Sequence, residues 1–133
     1  MARARATELG ASPVDTAEDM HVSIDALGSA ATAEASVRAL RRRGRHVQVG
    51  LMLDAAARTP PPWDLVIARE LEIYGSHGMA AADYPEMLAM VADGRLGPRR
   101  LVGRVIPLDE AGAALMAMDD PIARQAGITV AVV

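Results

Sequence analysis

Residues His21–Leu51 read HVSIDALGSAATAEASVRALRRRGRHVQVGL, and this stretch decides the fold. Val22 and Ile24 alternate with polar neighbours and stop at Gly28, which predicts a short strand closed by a glycine turn. From Ser29 the composition turns helical. Ala33, Val37 and Leu40 fall on one apolar stripe, while Glu34, Arg38, Arg41 and Arg42 face away. Ser29 is the expected N-cap and Gly44 the expected residue beyond the helix end. The arginines then occupy the last turn, where the helix dipole favours cations. Val47, Val49 and Leu51 mark a second strand. Strand, crossover helix and strand in this order make a βαβ unit, hence a parallel sheet with a right-handed connection.

The 133 residues suffice for one ordinary domain, and a hydrophobic share of 51% against 23% charged predicts a folded chain. Aromatic residues make up only 2%, with no Phe, so little surface exists for stacking nucleobases. A net charge of −3 argues against a nucleic-acid partner. Cysteine is absent, which removes disulfides, thiolate nucleophiles and thiolate zinc ligands. No apolar run approaches the ~20 residues that span a bilayer, so no membrane partner is expected. The basic opening, Met-Ala-Arg-Ala-Arg-Ala, lacks a following apolar segment. The expectation is a soluble cytoplasmic protein.

Outside the central unit, residues 2–9 are helix-prone and stop at Gly10, and Val14 marks a very short strand. Thr59-Pro60-Pro61-Pro62 is a rigid surface connector. Asp64 is expected to cap a short helix through Arg69, and Leu71 to Gly75 reads as a third strand. Asp83 and Glu86 resemble a capping box with Pro85 in the first turn, and Gly94 ends that helix. Leu101 to Leu108 reads as a fourth strand broken by Pro107. Asp109 is expected to cap a helix closed by Asp120-Pro121, and Gly127 to Val133 reads as a last strand.

In order along the chain, Val22-Ser-Ile-Asp-Ala-Leu-Gly28, Leu40-Arg-Arg-Arg-Gly-Arg-His-Val-Gln-Val-Gly50, Glu70-Leu-Glu-Ile-Tyr-Gly-Ser76 and Leu101-Val-Gly-Arg-Val-Ile-Pro-Leu-Asp-Glu-Ala111 carry a resemblance. The set is similar to the carboxy-terminal part of zinc-dependent alcohol dehydrogenases of the medium-chain dehydrogenase/reductase superfamily. The resemblance implies an α/β fold, a partial Rossmann-type parallel sheet (its second half) with flanking helices and a short C-terminal return segment. Residues 1–100 would be a truncated cofactor-binding domain and 101–133 the return toward a catalytic domain. The chain would begin inside the helix after the second Rossmann strand. About ten residues would be missing between Gly10 and His21.

The resemblance also implies the chemistry. The backbone groups of Ala26, Leu27 and Gly28, of Val49, Gly50 and Leu51, and of Tyr74, Gly75 and Ser76 would hold the carboxamide and ribose of NAD or NADP. Ligands of open α/β sheets do sit beyond the carboxyl ends of the strands, and glycines there admit close approach; the same glycines also serve simple tight turns. The family transfers hydride between an alcohol or carbonyl and a nicotinamide, with zinc polarising the substrate oxygen. This sequence contains neither the zinc ligands nor the Gly-rich pyrophosphate loop, so no catalytic residue is assigned. The expectation is a fragment inactive alone, completed by a complementing dehydrogenase chain. The alternative is a non-catalytic, self-associating module, pairing as a homo-oligomer through the edge at Val22–Ala26 or that at Leu71–Tyr74.

Isolated features receive plain readings. His21, His46 and His77 lack ligand spacing and read as strand-edge or surface histidines, with His77 following a strand end that would face the cofactor. Asp25 reads as a carboxylate bonded to the neighbouring turn amides. Arg38 through Arg45 form a solvated helix end, and Met87, Met90, Met116 and Met118 pack helices. Ser29 and Ser76 lack the context of a hydrolase nucleophile.

Overall fold

In the computed structural model, which describes residues 2–120 and 127–133, the elements follow in this order. They are α1 (Ala2–Glu8), β1 (Met20–Asp25), α2 (Ala30–Arg38), β2 (Leu40–Gln48), α3 (Trp63–Ala68), β3 (Glu72–Gly75), α4 (Tyr84–Ala92), β4 (Val102–Pro107), α5 (Ala111–Met116) and β5 (Ile128–Val132). They fall into two units, Val14–Met79 and Met1–Pro13 with Ala80–Val133. The first holds a parallel sheet in the order β1-β2-β3; the second holds β4 parallel to β5. The expected α/β class and parallel βαβ unit are both present.

Helix α2 begins where the sequence places it. Ser29 is extended (φ −100°, ψ 155°) and its hydroxyl accepts from the Thr32 amide at 3.1 Å, while the Thr32 hydroxyl accepts from the Ser29 amide at 3.2 Å. Two of the free N–H groups at the helix start are thereby satisfied.

The helix ends sooner than its stripe predicts. It stops at Arg38, and Leu40 to Gly44 belong to β2. Helix propensity in this run is good, but tertiary bonds override it. The Met20 amide donates to the Ala39 carbonyl at 2.9 Å, and the Arg69 guanidinium donates to the carbonyls of Arg38 and Leu40 at 3.1 and 2.6 Å. Leu40, only 1% exposed, is buried as part of a strand. Between the Met20–Leu40 and Val22–Arg45 pairs β2 bulges outward, with Arg43 at φ 58°. The arginine run is therefore a strand bulge rather than a helix end. Arg42 and Arg43 hold Glu70 at 3.0 and 2.8 Å, and Arg45 holds Glu72 at 2.7 Å. The Arg43 and Arg42 guanidiniums, Arg43 first, keep the Glu70 carboxyl below its usual range.

Other borders move for local reasons. Val14 is not in a strand. Pro62 occupies the cap position of α3 without a side-chain bond, and Asp64 lies in its first turn. Asp83 precedes α4 but is already helical (φ −90°, ψ −13°), so its carboxylate makes no cap bond. Leu108–Glu110 form a 3-10 turn ahead of α5, and Asp109 does not cap it. Pro107 closes β4 as its last residue. Met87 and Met90 are half-buried, whereas Met116 and Met118 are exposed and do not pack as expected. Pro121 lies outside the described residues.

The two faces of the three-stranded sheet differ. Val37 on α2 is buried against the face that carries Ser23, Asp25, His46, Gln48 and Ile73, and the Pro60–Pro62 segment closes a cleft of about 120 Å³ there. Those prolines thus form an inner wall, not merely a surface connector. The opposite face carries Val22, Ile24, Val47 and Tyr74 and is open: Val22 is 53% and Ile24 63% exposed.

Candidate cofactor site at the strand ends

The carboxyl ends of β1, β2 and β3 are stitched together by backbone bonds. The Asp25 carbonyl accepts from the Val49 and Gly50 amides at 3.0 and 2.8 Å, and the Gln48 carbonyl accepts from the Ser76 amide at 2.9 Å. Ala26–Gly28, Val49–Leu51 and Tyr74–Ser76 are therefore brought to one end of one sheet.

Gly28 and Gly50 meet across this end. A Cβ on Gly50 would lie 2.8 Å from the Ala26 carbonyl carbon and overlap the Gly28 nitrogen, and one on Gly28 would lie 2.8 Å from the Gly50 carbonyl carbon. Gly28 also has φ +83°, which favours glycine. Both glycines let two loops touch. Gly75 has open space around its Cβ position.

The loop amides are already occupied. Asp25, 4% exposed, accepts from the Leu27 and Gly28 amides through Oδ1 at 2.9 and 3.2 Å, the turn bonding expected of it. Its Oδ2 accepts from the Gln48 amide nitrogen at 2.9 Å. Burial pushes this carboxyl upward, but the bonds from Gln48, Gly28, Leu27 and Thr32 together outweigh burial and hold it below the usual range. The outward groups at this end are of another kind. No described residue donates to the carbonyls of Ala26, Leu27, Val49 or Leu51, although the Leu51 oxygen packs against Gly28, and the Leu27 and Leu51 side chains are 73% and 67% exposed. Tyr74 turns its ring to the open face, where Arg45 lies 5.0 Å from the centroid and Glu72 accepts from the phenol.

His46 corrects the surface reading of the histidines, being only 3% exposed. Its Nδ1 is 3.2 Å from the Ser23 hydroxyl and its Nε2 is 3.2 Å from Gln48 Oε1. A serine bonded to a histidine invites a nucleophile reading, yet the far imidazole nitrogen meets a neutral amide, which cannot stabilise an imidazolium as a carboxylate does. The sequence did carry a signal for this cluster. Ser23 and Asp25, and His46 and Gln48, are two i, i+2 pairs that face the same side once the strands are aligned parallel.

A larger hollow of about 640 Å³ lies against β4, β5 and α5. Its lining is aliphatic apart from Thr129 and from Arg104, which pairs with Glu110 at 3.3 Å. Among the described residues no group of three or more His, Asp or Glu side chains comes together to hold a metal, so the zinc of the resemblance has no fit here and no step is routed through it. No helix among them is long and apolar enough to cross a membrane.

Parallel strands joined by crossover helices, with their carboxyl ends gathered at glycine loops, are the architecture of half a doubly wound α/β domain. The profile of the zinc-binding dehydrogenase family matches residues 4–93, and the chain belongs to that family. Among solved structures it is similar to an alcohol dehydrogenase from Thermus sp. ATN1, with 27% identity, a TM-score of 0.70, and coverage of 98% of this chain and 35% of that one. It is also similar to L-idonate 5-dehydrogenase from Escherichia coli (21%, TM-score 0.73, 93% and 35%). A third similar structure is a zinc-binding dehydrogenase from Sinorhizobium meliloti solved with NADP (24%, TM-score 0.72, 85% and 32%). The chain spans about a third of the length of these structures. No curated protein matches it.

Proposed function

We propose that this chain supplies the nicotinamide-side half of an NAD(P) site in a zinc-dependent alcohol dehydrogenase, and that it does not turn over alcohol by itself. The observation that carries the reading is the set of undonated carbonyls at Ala26, Leu27 and Val49, beside the exposed Leu27 and Leu51 side chains, at the gathered strand ends. A carboxamide NH2 and ribose hydroxyls are donors that need such acceptors, and a nicotinamide face needs apolar neighbours. Gly28, Tyr74, Gly75 and Ser76 complete the surface, with Gly50 buried behind it. Residues 1–100 would serve the cofactor and 101–133 the return toward the catalytic domain. The Gly-rich half would come from further dehydrogenase sequence, on the same or another polypeptide.

Calorimetric titration with NADH and NADPH tests this. Alone, the chain should bind no tighter than about 1 mM, near 4 kcal/mol. Mixed with the preceding two-thirds of a related dehydrogenase, affinity should rise about a hundredfold or more, some 2.7 kcal/mol. No gain on mixing, or alcohol turnover by the chain alone, overturns the proposal.

The open face of the sheet favours a second reading, self-association. Parallel sheets are ordinarily covered on both sides, and Val22, Ile24 and Tyr74 lie uncovered on the two edge strands. Sedimentation over a micromolar-to-millimolar range should then show a homodimer. A monomer throughout sinks this alternative.

A further inference from the structure

Four polar side chains run in series across the covered face, and with a neutral imidazole their donor and acceptor roles follow from one another. The Gln48 amide nitrogen lies 2.9 Å from Asp25 Oδ2 and 2.9 Å from the Gly50 carbonyl. Both of those are acceptors, so nitrogen rather than oxygen must point there. Gln48 Oε1 then faces His46 Nε2 at 3.2 Å, and that nitrogen must carry the proton. A neutral imidazole keeps its lone pair on the other nitrogen, so the Ser23 hydroxyl donates to Nδ1 at 3.2 Å.

We propose that Gln48 is a positioning residue for the cofactor-facing strand ends, with His46 held as the Nε2–H tautomer behind it. Gln48 is the side chain that joins both loops. Through Asp25 it reaches the carboxylate holding the Leu27 and Gly28 amides, and directly it holds the Gly50 carbonyl. The loops meet at two glycines, Gly28 and Gly50, where the Val49 and Gly50 amides already bond the Asp25 carbonyl, and the Gln48 tie adds a side-chain link across them. Removing it leaves Asp25 Oδ2, the Gly50 carbonyl and His46 Nε2–H without their Gln48 bonds, and the loops spread. The role in binding rests on the cofactor reading above; the tie itself does not.

The test compares the full chain with Gln48→Met and, as a stability control, Leu40→Ala, a buried residue at the amino end of β2, opposite the loops. In Gln48→Met, hydrogen exchange of the Leu27, Gly28 and Gly50 amides should quicken about tenfold beyond any change in Leu40→Ala, because local opening is read at those amides. Nitrogen-15 spectra of the unaltered chain should show His46 protonated on Nε2. NADH affinity in the mixed complex should fall about tenfold in Gln48→Met and hold in Leu40→Ala. Equal exchange in the two variants, or an Nδ1–H tautomer, overturns the proposal; should Gln48→Met fail to fold, the tautomer decides. If the unaltered mixture binds no NADH, the cofactor reading fails while exchange and tautomer still judge the tie.

Discussion

Gly50→Ala is expected to cost about 3 kcal/mol of folding stability, at the upper end of overpacking effects. The added methyl would overlap the Gly28 nitrogen and sit 2.8 Å from the Ala26 carbonyl carbon. Both are backbone atoms, which cannot step aside as a flexible side chain would. Moving them means pulling apart the Val49 and Gly50 amides from the Asp25 carbonyl, bonds of 3.0 and 2.8 Å. Gly28→Ala should behave alike, with additional strain from its φ of +83°. Gly75→Ala is the contrast, because nothing lies within 4 Å of its Cβ position, and its effect should stay within about 0.5 kcal/mol. Urea midpoints at constant slope measure all three. Equal midpoints for Gly50→Ala and Gly75→Ala would refute the account.

Asp25→Asn should cost about 2 kcal/mol at neutral pH, the scale of bonds to a buried charged acceptor. An asparagine can still receive the Leu27 and Gly28 amides through its oxygen. Its nitrogen then faces the Gln48 nitrogen, donor against donor, and turning Gln48 over would set its oxygen against the Gly50 carbonyl. The pH dependence has a definite sign. The Asp25 carboxyl is held below its ordinary range in the folded chain, so it binds a proton less readily there than when unfolded. Its contribution is complete above the unfolded value, about 3.9, and fades as pH falls through the folded value. The gap between the unaltered chain and Asp25→Asn should therefore be widest above about pH 5 and narrow as pH falls below the unfolded value. A gap of constant size across that range would contradict the assignment.

Much of this arrangement was legible in the residues. Ser29 followed by an alanine-rich run marks the start of α2, and a carboxylate just before Ala26-Leu27-Gly28 marks the turn that Asp25 ties. The end of α2 was not legible, because Leu40 to Arg43 are good helix formers and distant partners, among them the Met20 amide and Arg69, draw that run into β2. His46 and Gln48 misled for a further reason. In His46-Val47-Gln48-Val49 the apolar pair suggests which face is inward, but in this chain α2 covers the polar pair and the valines face the open side. Alternation gives two faces and says nothing about which one a chain covers with its own helix. The strand ends expected to meet a cofactor do converge, yet the amides of Leu27, Gly28, Val49, Gly50 and Ser76 are bonded internally, a pattern visible only once the strands are in register.

One unit of the molecule is continuous along the polypeptide and the other is not, and synthesis on a ribosome treats them differently. The Val14–Met79 unit can close its three-stranded ladder as soon as the segment through Ser76 has emerged. Helix α1 has to wait, because Arg5 binds the carbonyls of Arg100 and Val102, 95 and 97 positions downstream. At translation speeds of roughly 5–20 residues per second that delay lasts about 5–20 s. Helix α1 is thus made before the Val14–Met79 unit yet finds its place after it, and a nascent-chain holdase would meet it exposed in the interval.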